Sequence, residues 1–316
     1  MNLSLRSETP ESWDYADAAA LIALCEARGC SIAEVALRRE MAETGRSEAE
    51  LLGRMRDYFT VMREAVRGGL AIRERSASGL SGGDAARLHA YAAGPSPLLG
   101  ADLARTAAYG FAVLEFNARH GRIVATPTAG SAGVVPACLL SLEDTRGLDP
   151  DAAGRALFTA AGIGLVIGRR APFAGAQGGC QAEVGSASAM AAAAIVEAVG
   201  GTPRQACEAA AYALMNALGM VCDPIGGYVE VPCVSRNGMF AVHAFLAATM
   251  ALAGTRCVMP FDDVVIAMRD IGRRMPRALK ETSEAGLATT PTGLRYPPQA
   301  VAGAASAKGA GIAKPA

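Results

Sequence analysis

The chain has 316 residues, of which 51% are hydrophobic, and its 30 basic and 30 acidic residues give a formal net charge of zero. This balance gives no electrostatic reason to expect binding to nucleic acid or to an anionic membrane. The lysines are Lys280, Lys308 and Lys314. A pyridoxal-phosphate enzyme is therefore disfavoured and we expect no PLP, because that cofactor forms a Schiff base with a buried lysine.

Helical patterns occur along most of the chain. Two capping boxes, Ser31 with Glu34 and Ser47 with Glu50, predict helix starts near the N-terminus. Further along, alanine-rich stretches favour helix because alanine has the highest helix propensity. The other predicted helices cover residues 14–28, 101–120, 152–169, 186–199, 203–219, 237–254 and 262–283.

Glycine-rich segments interrupt these helices near residues 80, 130, 180 and 225. The segment GYVEVPCV, residues 227–234, is the one stretch that alternates convincingly like a strand. The uncharged stretch 238–255 reaches membrane-spanning length, but its alanine content and His243 favour a buried core helix.

These patterns predict a mainly α fold. We expect residues 1–296 to form a single compact multi-helix domain with glycine-rich active-site loops and little or no sheet. Residues 297–316 contain few large apolar side chains and are predicted to be a flexible tail. The start of the sequence lacks the pattern of a signal peptide, so we expect a cytoplasmic protein that does not reside in a membrane.

Three of the eight cysteines, Cys180, Cys222 and Cys233, lie beside glycine or proline in segments predicted to be irregular. A disulfide framework is not expected in a large cytoplasmic protein. The separations of 42 and 11 residues do not match compact metal-binding motifs. From the residues alone, a shared metal site and buried structural thiols both remain open.

Three longer segments carry a family resemblance: IVATPTAGSAGVVP (123–136), GAQGGCQAEVGSASAMAAAA (175–194) and LGMVCDPIGGYVEVPCVSRNG (218–238). Together they resemble the alpha subunit of iron-sulfur-dependent L-serine ammonia-lyase, also called L-serine dehydratase. SGLSGGDA near residue 80 and GLATTPTG at 286–293 add to the similarity, which spans about residues 76–293 in the family's order.

This resemblance implies a lyase that converts L-serine to pyruvate and ammonia, in amino-acid degradation and gluconeogenesis. It also implies a [4Fe-4S] cluster held by Cys180, Cys222 and Cys233, which occupy the matching motif positions. A cluster with three cysteine ligands leaves one iron open, and that iron can act as a Lewis acid on the substrate oxygen.

Candidate substrate-binding residues lie in two segments. In TPTAGSAG, the hydroxyls of Thr128 and Ser131 and backbone N–H groups around Gly130 are predicted to bind the substrate carboxylate, as in an anion nest. The alternative is a simple helix entry capped by serine. Arg236 and Asn237 follow Cys233 and are predicted to pair with the carboxylate or to orient the loop, with an N-cap role for Asn237 as the alternative.

The general base is not identified by the sequence. Each histidine falls in or at the end of a predicted helix, where a structural role is favoured. Glu183 is a candidate for supporting the cluster or for capping a helix. The resemblance further implies a beta part with a serine-rich segment ending in His-Thr, which this sequence lacks. We therefore expect a separate beta subunit, a homo-oligomer or both, and the partner is a candidate source of the base.

The sequence departs from the family pattern at Gln177 and at Gly226-Gly227-Tyr228. These differences leave the three cysteines intact but bear on which amino acid is the substrate. Elimination from another small amino acid, threonine or cysteine, is therefore an alternative, as is a non-catalytic metal-binding partner subunit.

Overall fold

The computed structural model describes residues 12–296 and residue 298, and the regular elements in this range are helices. No β-strand occurs among these residues, in which Cys222 and Lys280 form an isolated bridge. The prediction of a mainly α fold is therefore confirmed, whereas the predicted tail lies outside the described residues except for residue 298. The α-helices are α1 (Ala18–Arg28), α2 (Ile32–Thr44), α3 (Glu48–Ala71), α4 (Asp84–Ala92), α5 (Gly100–Asn117), α6 (Val134–Arg146), α7 (Pro150–Gly168), α8 (Gly175–Gly178), α9 (Ser186–Ala198), α10 (Pro203–Met215), α11 (Cys233–Leu252) and α12 (Phe261–Arg274).

The centre of the molecule is α9, whose residues 186–196 are all buried. This helix packs against α6, α7, α10 and α11. Most of its side chains are alanine, so its neighbours approach closely on every side. A helix that is apolar all round and surrounded by others is expected at the core of a large domain.

Glycines allow two close helix crossings on α5. A Cβ at Gly69 of α3 would lie 2.0 Å from the carbonyl oxygen of Ala112. A Cβ at Gly110 would lie 2.8 Å from the backbone of Asn237 and Gly238. The second crossing fixes the first turns of α11 against α5, and it thereby places the helix that begins at a candidate metal ligand.

Three helix N-termini are capped by carboxylates from distant parts of the chain. Such caps satisfy backbone N–H groups that have no partner within their own helix, and they favourably oppose the positive end of the helix dipole. Asp262 accepts from the N–H groups of Ala18 and Ala19, Glu197 from those of Ile32 and Ala33, and Glu115 from those of Gly83, Asp84 and Ala85.

Two predicted elements are wrong. Residues 227–234 do not form a strand but a turn with a cis Val231–Pro232 peptide bond, after which α11 begins at Cys233. Tyr228, Val229 and Val231 are only partly buried there, whereas Glu230 is buried, so burial does not follow the alternating pattern. The predicted helix 262–283 ends at Arg274, because Pro276 follows and the next residues form a short 3₁₀ turn.

Among the described residues, α7 is long and apolar enough to be considered as a membrane span, but 61% of the relevant stretch is buried inside the molecule. It packs against α2, α3 and α9. The uncharged stretch 238–255 belongs mostly to α11, which packs against α5, α9 and α10. Both helices are part of the helical core.

Candidate metal and substrate site

Cys180 lies where α8 meets a single π-helical turn that leads into α9. Such turns occur frequently at functional sites. Gly179 has a φ of 76°, and a Cβ there would lie 2.7 Å from the carbonyl oxygen of Met220. The backbone N–H of Gln181 donates to the same oxygen at 3.1 Å. These contacts join the Cys180 segment to the segment that leads to Cys222.

Cys222 and Cys233 lie at the two ends of one loop, residues 222–233, which we call the cysteine loop. The Cys222 N–H donates to the carbonyl of Leu279 at 2.9 Å, and its carbonyl accepts from the N–H of Glu281 at 2.6 Å. Cys233 begins α11 directly after the cis-proline Pro232. The loop ends are therefore set by different parts of the chain.

The thiols of Cys180, Cys222 and Cys233 share one buried region, with residue exposures of 2%, 3% and 8%. Burial raises the pKa of Cys180 to about 11 and the pKa of Cys233 to about 12. It also raises the pKa of Cys222, and the negative charges of Cys180 and Glu183 add to this effect. The charge of Cys180 raises the pKa of Cys233 as well. Since these charge effects weaken with distance, the three cysteines lie within electrostatic range of one another.

The chemistry of the candidate ligands bears on the kind of metal group that they could hold. Among the described residues, no three His, Cys, Asp or Glu side chains are arranged to hold a single metal ion. Thiolates that each lie about 2.3 Å from one zinc ion would be about 3.8 Å apart. An iron-sulfur cube is larger than an ion and holds its ligands further apart. Cysteine thiolates are the ligands that hold iron-sulfur clusters, so the chemistry of these three residues fits such a group.

The TPTAGS loop, residues 126–131, begins with a cis Thr126–Pro127 peptide bond and ends in a short 3₁₀ turn. The Ser131 hydroxyl is engaged inside the loop, where it donates to the Thr126 carbonyl at 3.2 Å. The Thr126 hydroxyl is buried and has no hydrogen-bond partner among the described residues. A buried hydroxyl without a partner is unfavourable, so this position is suited to contact a bound molecule.

Glu183 connects the TPTAGS loop to the cysteines. It accepts a hydrogen bond from the Thr128 hydroxyl at 2.7 Å, and its Oε2 lies 3.9 Å from the sulfur of Cys222. Burial raises the pKa of Glu183, the Thr128 hydrogen bond opposes that shift, and the Glu281 charge adds to it. A Cβ at Gly130 would lie 3.4 Å from both carboxylate oxygens. Glu183 therefore lies between the predicted substrate loop and a predicted metal ligand.

Arg236 and Asn237 orient the loops around the site. Arg236 donates to the carbonyl of Val221 at 3.0 Å and pairs with Asp223 at 3.2 Å, and its charge lowers the pKa of Cys180 against the larger effect of burial. Its positive charge lies where it stabilises a Cys180 thiolate.

Asn237 lies inside α11 rather than at its N-cap. Its side-chain amide donates to the carbonyls of Gly130 and Cys233 at 2.8 and 2.9 Å, and its oxygen accepts from the Gly133 N–H at 2.8 Å. Both amide N–H groups are thus used to join the TPTAGS loop to the start of α11. Any contribution of Asn237 to a substrate is indirect.

The histidines are engaged in contacts typical of structural roles. The His243 ring bonds to the Ala213 carbonyl at 3.0 Å and packs against Phe240. The His89 ring stacks on Tyr109. His120 follows the end of α5 with a left-handed backbone, φ 60°. None of these contacts involves the three cysteines.

Two acidic residues, one within the cysteine loop and one beside it, were not identified from the sequence. Glu281 has a left-handed backbone, φ 61°, and lines a cavity of about 390 Å³ together with Gly226 and Gly227. Glu230 lies within the cysteine loop and is buried, at 5% exposure. The similarity at SGLSGGDA was the one available signal for Glu230, because that segment contains two of the serines that bind it.

The sequence model of a family described as serine dehydratase alpha chain matches residues 27–288. The chain belongs to this family. A relative from Bacillus subtilis, named "Probable L-serine dehydratase, alpha chain", is 47% identical over 86% of this chain and 91% of its own length. The "L-serine dehydratase, alpha chain" of Peptoniphilus asaccharolyticus is 42% identical over 86% of this chain and 94% of its own length.

Other relatives of the serine dehydratase alpha chain family are longer. The "L-serine dehydratase" of Streptomyces coelicolor is 38% identical over 85% of this chain, but the match covers 59% of that protein. The family therefore includes alpha chains of about this length and longer proteins that carry an additional part.

Proposed function

We propose that this chain is the alpha subunit of an L-serine dehydratase, a lyase that forms pyruvate and ammonia from L-serine. The observation that carries the proposal is that Cys180, Cys222 and Cys233 are buried within electrostatic range of one another, with Cys222 beside Glu183, which binds the TPTAGS loop. Its similarity to alpha chains named for this activity supports the choice of substrate. In the cell, such a reaction degrades serine and supplies pyruvate for gluconeogenesis.

The three cysteines are proposed to hold a [4Fe-4S] cluster. When bound, such a cluster supplies a Lewis-acidic iron that assists the departure of the substrate hydroxyl. Arg236 stabilises the thiolate form of Cys180, which is the form that binds metal. An oxygen-sensitive group of this kind, together with eight free cysteines, is consistent with a location in the reducing cytoplasm.

The TPTAGS loop is proposed to bind the substrate carboxylate. Backbone N–H groups near Gly130 and the unpartnered hydroxyl of Thr126 are the proposed donors. Glu183 fixes the Thr128 hydroxyl through their 2.7 Å hydrogen bond. Ser131 shapes the loop from inside, and Asn237 fixes the loop to α11. The immediate enamine product then tautomerises and hydrolyses in water.

The base that removes the α-proton is proposed to come from a separate beta chain. None of the described histidine contacts involves the cysteines, and the longer relatives have an additional part of the size of a second subunit. A partner that contributes to the site also accounts for the separate naming of alpha chains among the relatives.

The proposal is tested by purifying the full-length chain without oxygen and measuring visible absorbance, iron and sulfide. Pyruvate release from L-serine is then measured with and without a beta chain from the same source, with L-threonine and L-cysteine as alternative substrates. We expect a coloured protein with about four irons per chain and pyruvate from L-serine when both chains are present. A colourless, iron-free protein after reconstitution would overturn the cofactor assignment. Faster turnover of threonine or cysteine would overturn the substrate, and a loaded but inactive complex would favour a non-catalytic subunit.

A further inference from the structure

Glu230 is held by hydroxyls from a distant loop. Ser76 donates to its Oε2 at 2.5 Å, Ser78 donates to its Oε1 at 2.6 Å, and Ser81 donates to Oε2 as well. We call these residues, Ser76, Ser78, Ser81 and Glu230, the serine clasp. Ser76, Ser81 and Glu230 are buried, so these bonds form away from water. Bonds from hydroxyls to an ionised carboxylate are roughly twice as strong as bonds between neutral groups.

The serine clasp acts on the Cys233 end of the cysteine loop. The Glu230 carbonyl accepts from the Val234 N–H at 2.8 Å, which ties this residue to the first turn of α11. The Ile225 N–H donates to the Val231 carbonyl at 2.9 Å and closes the loop upon itself. Movement of Glu230 would therefore be transmitted directly to Cys233.

The Cys222 end of the loop is fixed by other groups. Cys222 pairs with the backbone of residues 279–281, and the Asp223 carboxylate accepts from Arg236 and from the Leu287 N–H at 2.8 Å. Arg236 lies in the first turn of α11, so its bonds to Val221 and Asp223 also join the Cys233 end to the Cys222 end, and the separation of Cys222 and Cys233 depends on these bonds and on the clasp. Loss of either anchor would change the spacing of two proposed cluster ligands.

We propose that the serine clasp is a positioning device that holds Cys233 at the distance from Cys222 required by the cluster, an inference that rests on the proposed cofactor. Glu230 acts through Cys233 and is a positioning residue. The serine hydroxyls suit this task because they hold the carboxylate by three hydrogen bonds and add no charge of their own. A purely structural tie would instead affect overall stability and leave the cluster unchanged.

The test compares Glu230→Gln with Glu197→Gln in the full-length chain loaded with iron and sulfide. Glu197 is a suitable control because its carboxylate also binds a hydroxyl, that of Thr159, and two backbone N–H groups, but at the other end of α9. Iron release to a chelator is followed without oxygen, and hydrogen exchange of residues 222–233 is followed in the metal-free protein. We expect Glu230→Gln to release iron at least about tenfold faster than wild type, with faster exchange in the loop. Glu197→Gln should lower the melting temperature but release iron at the wild-type rate.

A second pair of variants tests the hydroxyl itself. Ser78 is only partly buried, so Ser78→Thr can retain the hydroxyl, whereas Ser78→Ala removes it. Faster iron release in Ser78→Ala and a near-normal rate in Ser78→Thr would support the proposal. Equal iron release from wild type and Glu230→Gln, or an equal acceleration in Glu197→Gln, would overturn it. If wild type binds no iron and sulfide, the cofactor proposal fails, and unchanged loop exchange in Glu230→Gln would separately reject the clasp.

Discussion

Gly175 leaves no space for a side chain at the centre of the candidate site. A Cβ at this position would lie 2.7 Å from Oε2 of Glu183 and 3.0 Å from the sulfur of Cys222. We expect Gly175→Ala to displace both groups and to reduce the iron content of the reconstituted protein by more than about half. Iron analysis measures the loss of iron, and circular dichroism checks that the helical fold is retained.

Gly154→Ala is a matched control for this substitution. Gly154 lies inside α7, and an added Cβ would meet its nearest neighbour at an ordinary 3.5 Å. This variant should retain its iron and gain up to about 1 kcal/mol in free energy of unfolding, because alanine favours helix over glycine. Full iron content in Gly175→Ala would show that the site does not need this glycine.

The hydroxyl of Thr128 is the direct link between the TPTAGS loop and Glu183. Thr128→Val keeps the shape of the side chain but leaves the buried carboxylate without this donor. We expect kcat/KM for L-serine to fall about 10- to 100-fold, which corresponds to about 1–3 kcal/mol for an unsatisfied buried group. Steady-state kinetics of the complex with the beta chain would measure this fall in kcat/KM.

Thr60→Val is the control, since the Thr60 hydroxyl bonds within its own helix to the Arg56 carbonyl, at an exposed position. Its kinetics should equal those of wild type. A wild-type kcat/KM in Thr128→Val would exclude a role for this hydroxyl in the reaction.

Residue identities at the site could be predicted in part. The glycine and proline surroundings and the family resemblance identified Cys180, Cys222 and Cys233 as candidates, and all three are buried and within electrostatic range of one another. The contacts of Glu230 could not be predicted, because its hydroxyl partners are about 150 residues earlier in the chain. Local sequence contains no information about which distant loop meets a buried carboxylate.

Among the helices, the capping of α4 depends on a single distant carboxylate. Glu115 of α5 accepts from the N–H groups of Gly83, Asp84 and Ala85, and it is buried at 1% exposure. In Glu115→Gln, an NH₂ group replaces one acceptor and faces these donors. We expect a loss of about 2–3 kcal/mol in free energy of unfolding, measured by denaturant titration.

Glu64→Gln serves as the control for this helix cap. Glu64 forms an exposed ion pair with Arg122 at 3.3 Å, and such pairs contribute little to stability. The control should therefore change the free energy of unfolding by less than about 0.5 kcal/mol. Equal effects of the two substitutions would contradict a special role for Glu115.

Helices were predicted well where their signals are local. The capping box at Ser47 is present, Ser31 caps α2 by accepting from the Glu34 N–H, and α2 and α3 begin directly after these serines. The predicted strand at 227–234 was wrong because alternation alone does not supply a partner strand, and burial there does not follow it: Val229 and Val231 are only partly buried, whereas Glu230 is buried. The caps supplied by Asp262, Glu197 and Glu115 depend on tertiary contacts and had no local signal.

At the scale of the whole molecule, α9 connects the core to the site. Its first turn continues from the π-helical turn that carries Glu183, and its later turns are enclosed by α6, α7, α10 and α11. Ala192 lies in this enclosed part and is fully buried. A larger side chain there cannot be accommodated without moving several helices at once.

We expect Ala192→Leu to lower the melting temperature by about 3–5 °C, the effect of about 2–3 kcal/mol of overpacking in a chain of this size. Because α9 is continuous with the segment that follows Cys180, iron retention should decrease in the same variant. Ala101→Leu, at an exposed position near the start of α5, should change neither quantity. If Ala192→Leu lost stability but kept its iron at the wild-type rate, the site would be mechanically independent of the core, and the positions of the cysteines would then depend on the surrounding loops alone.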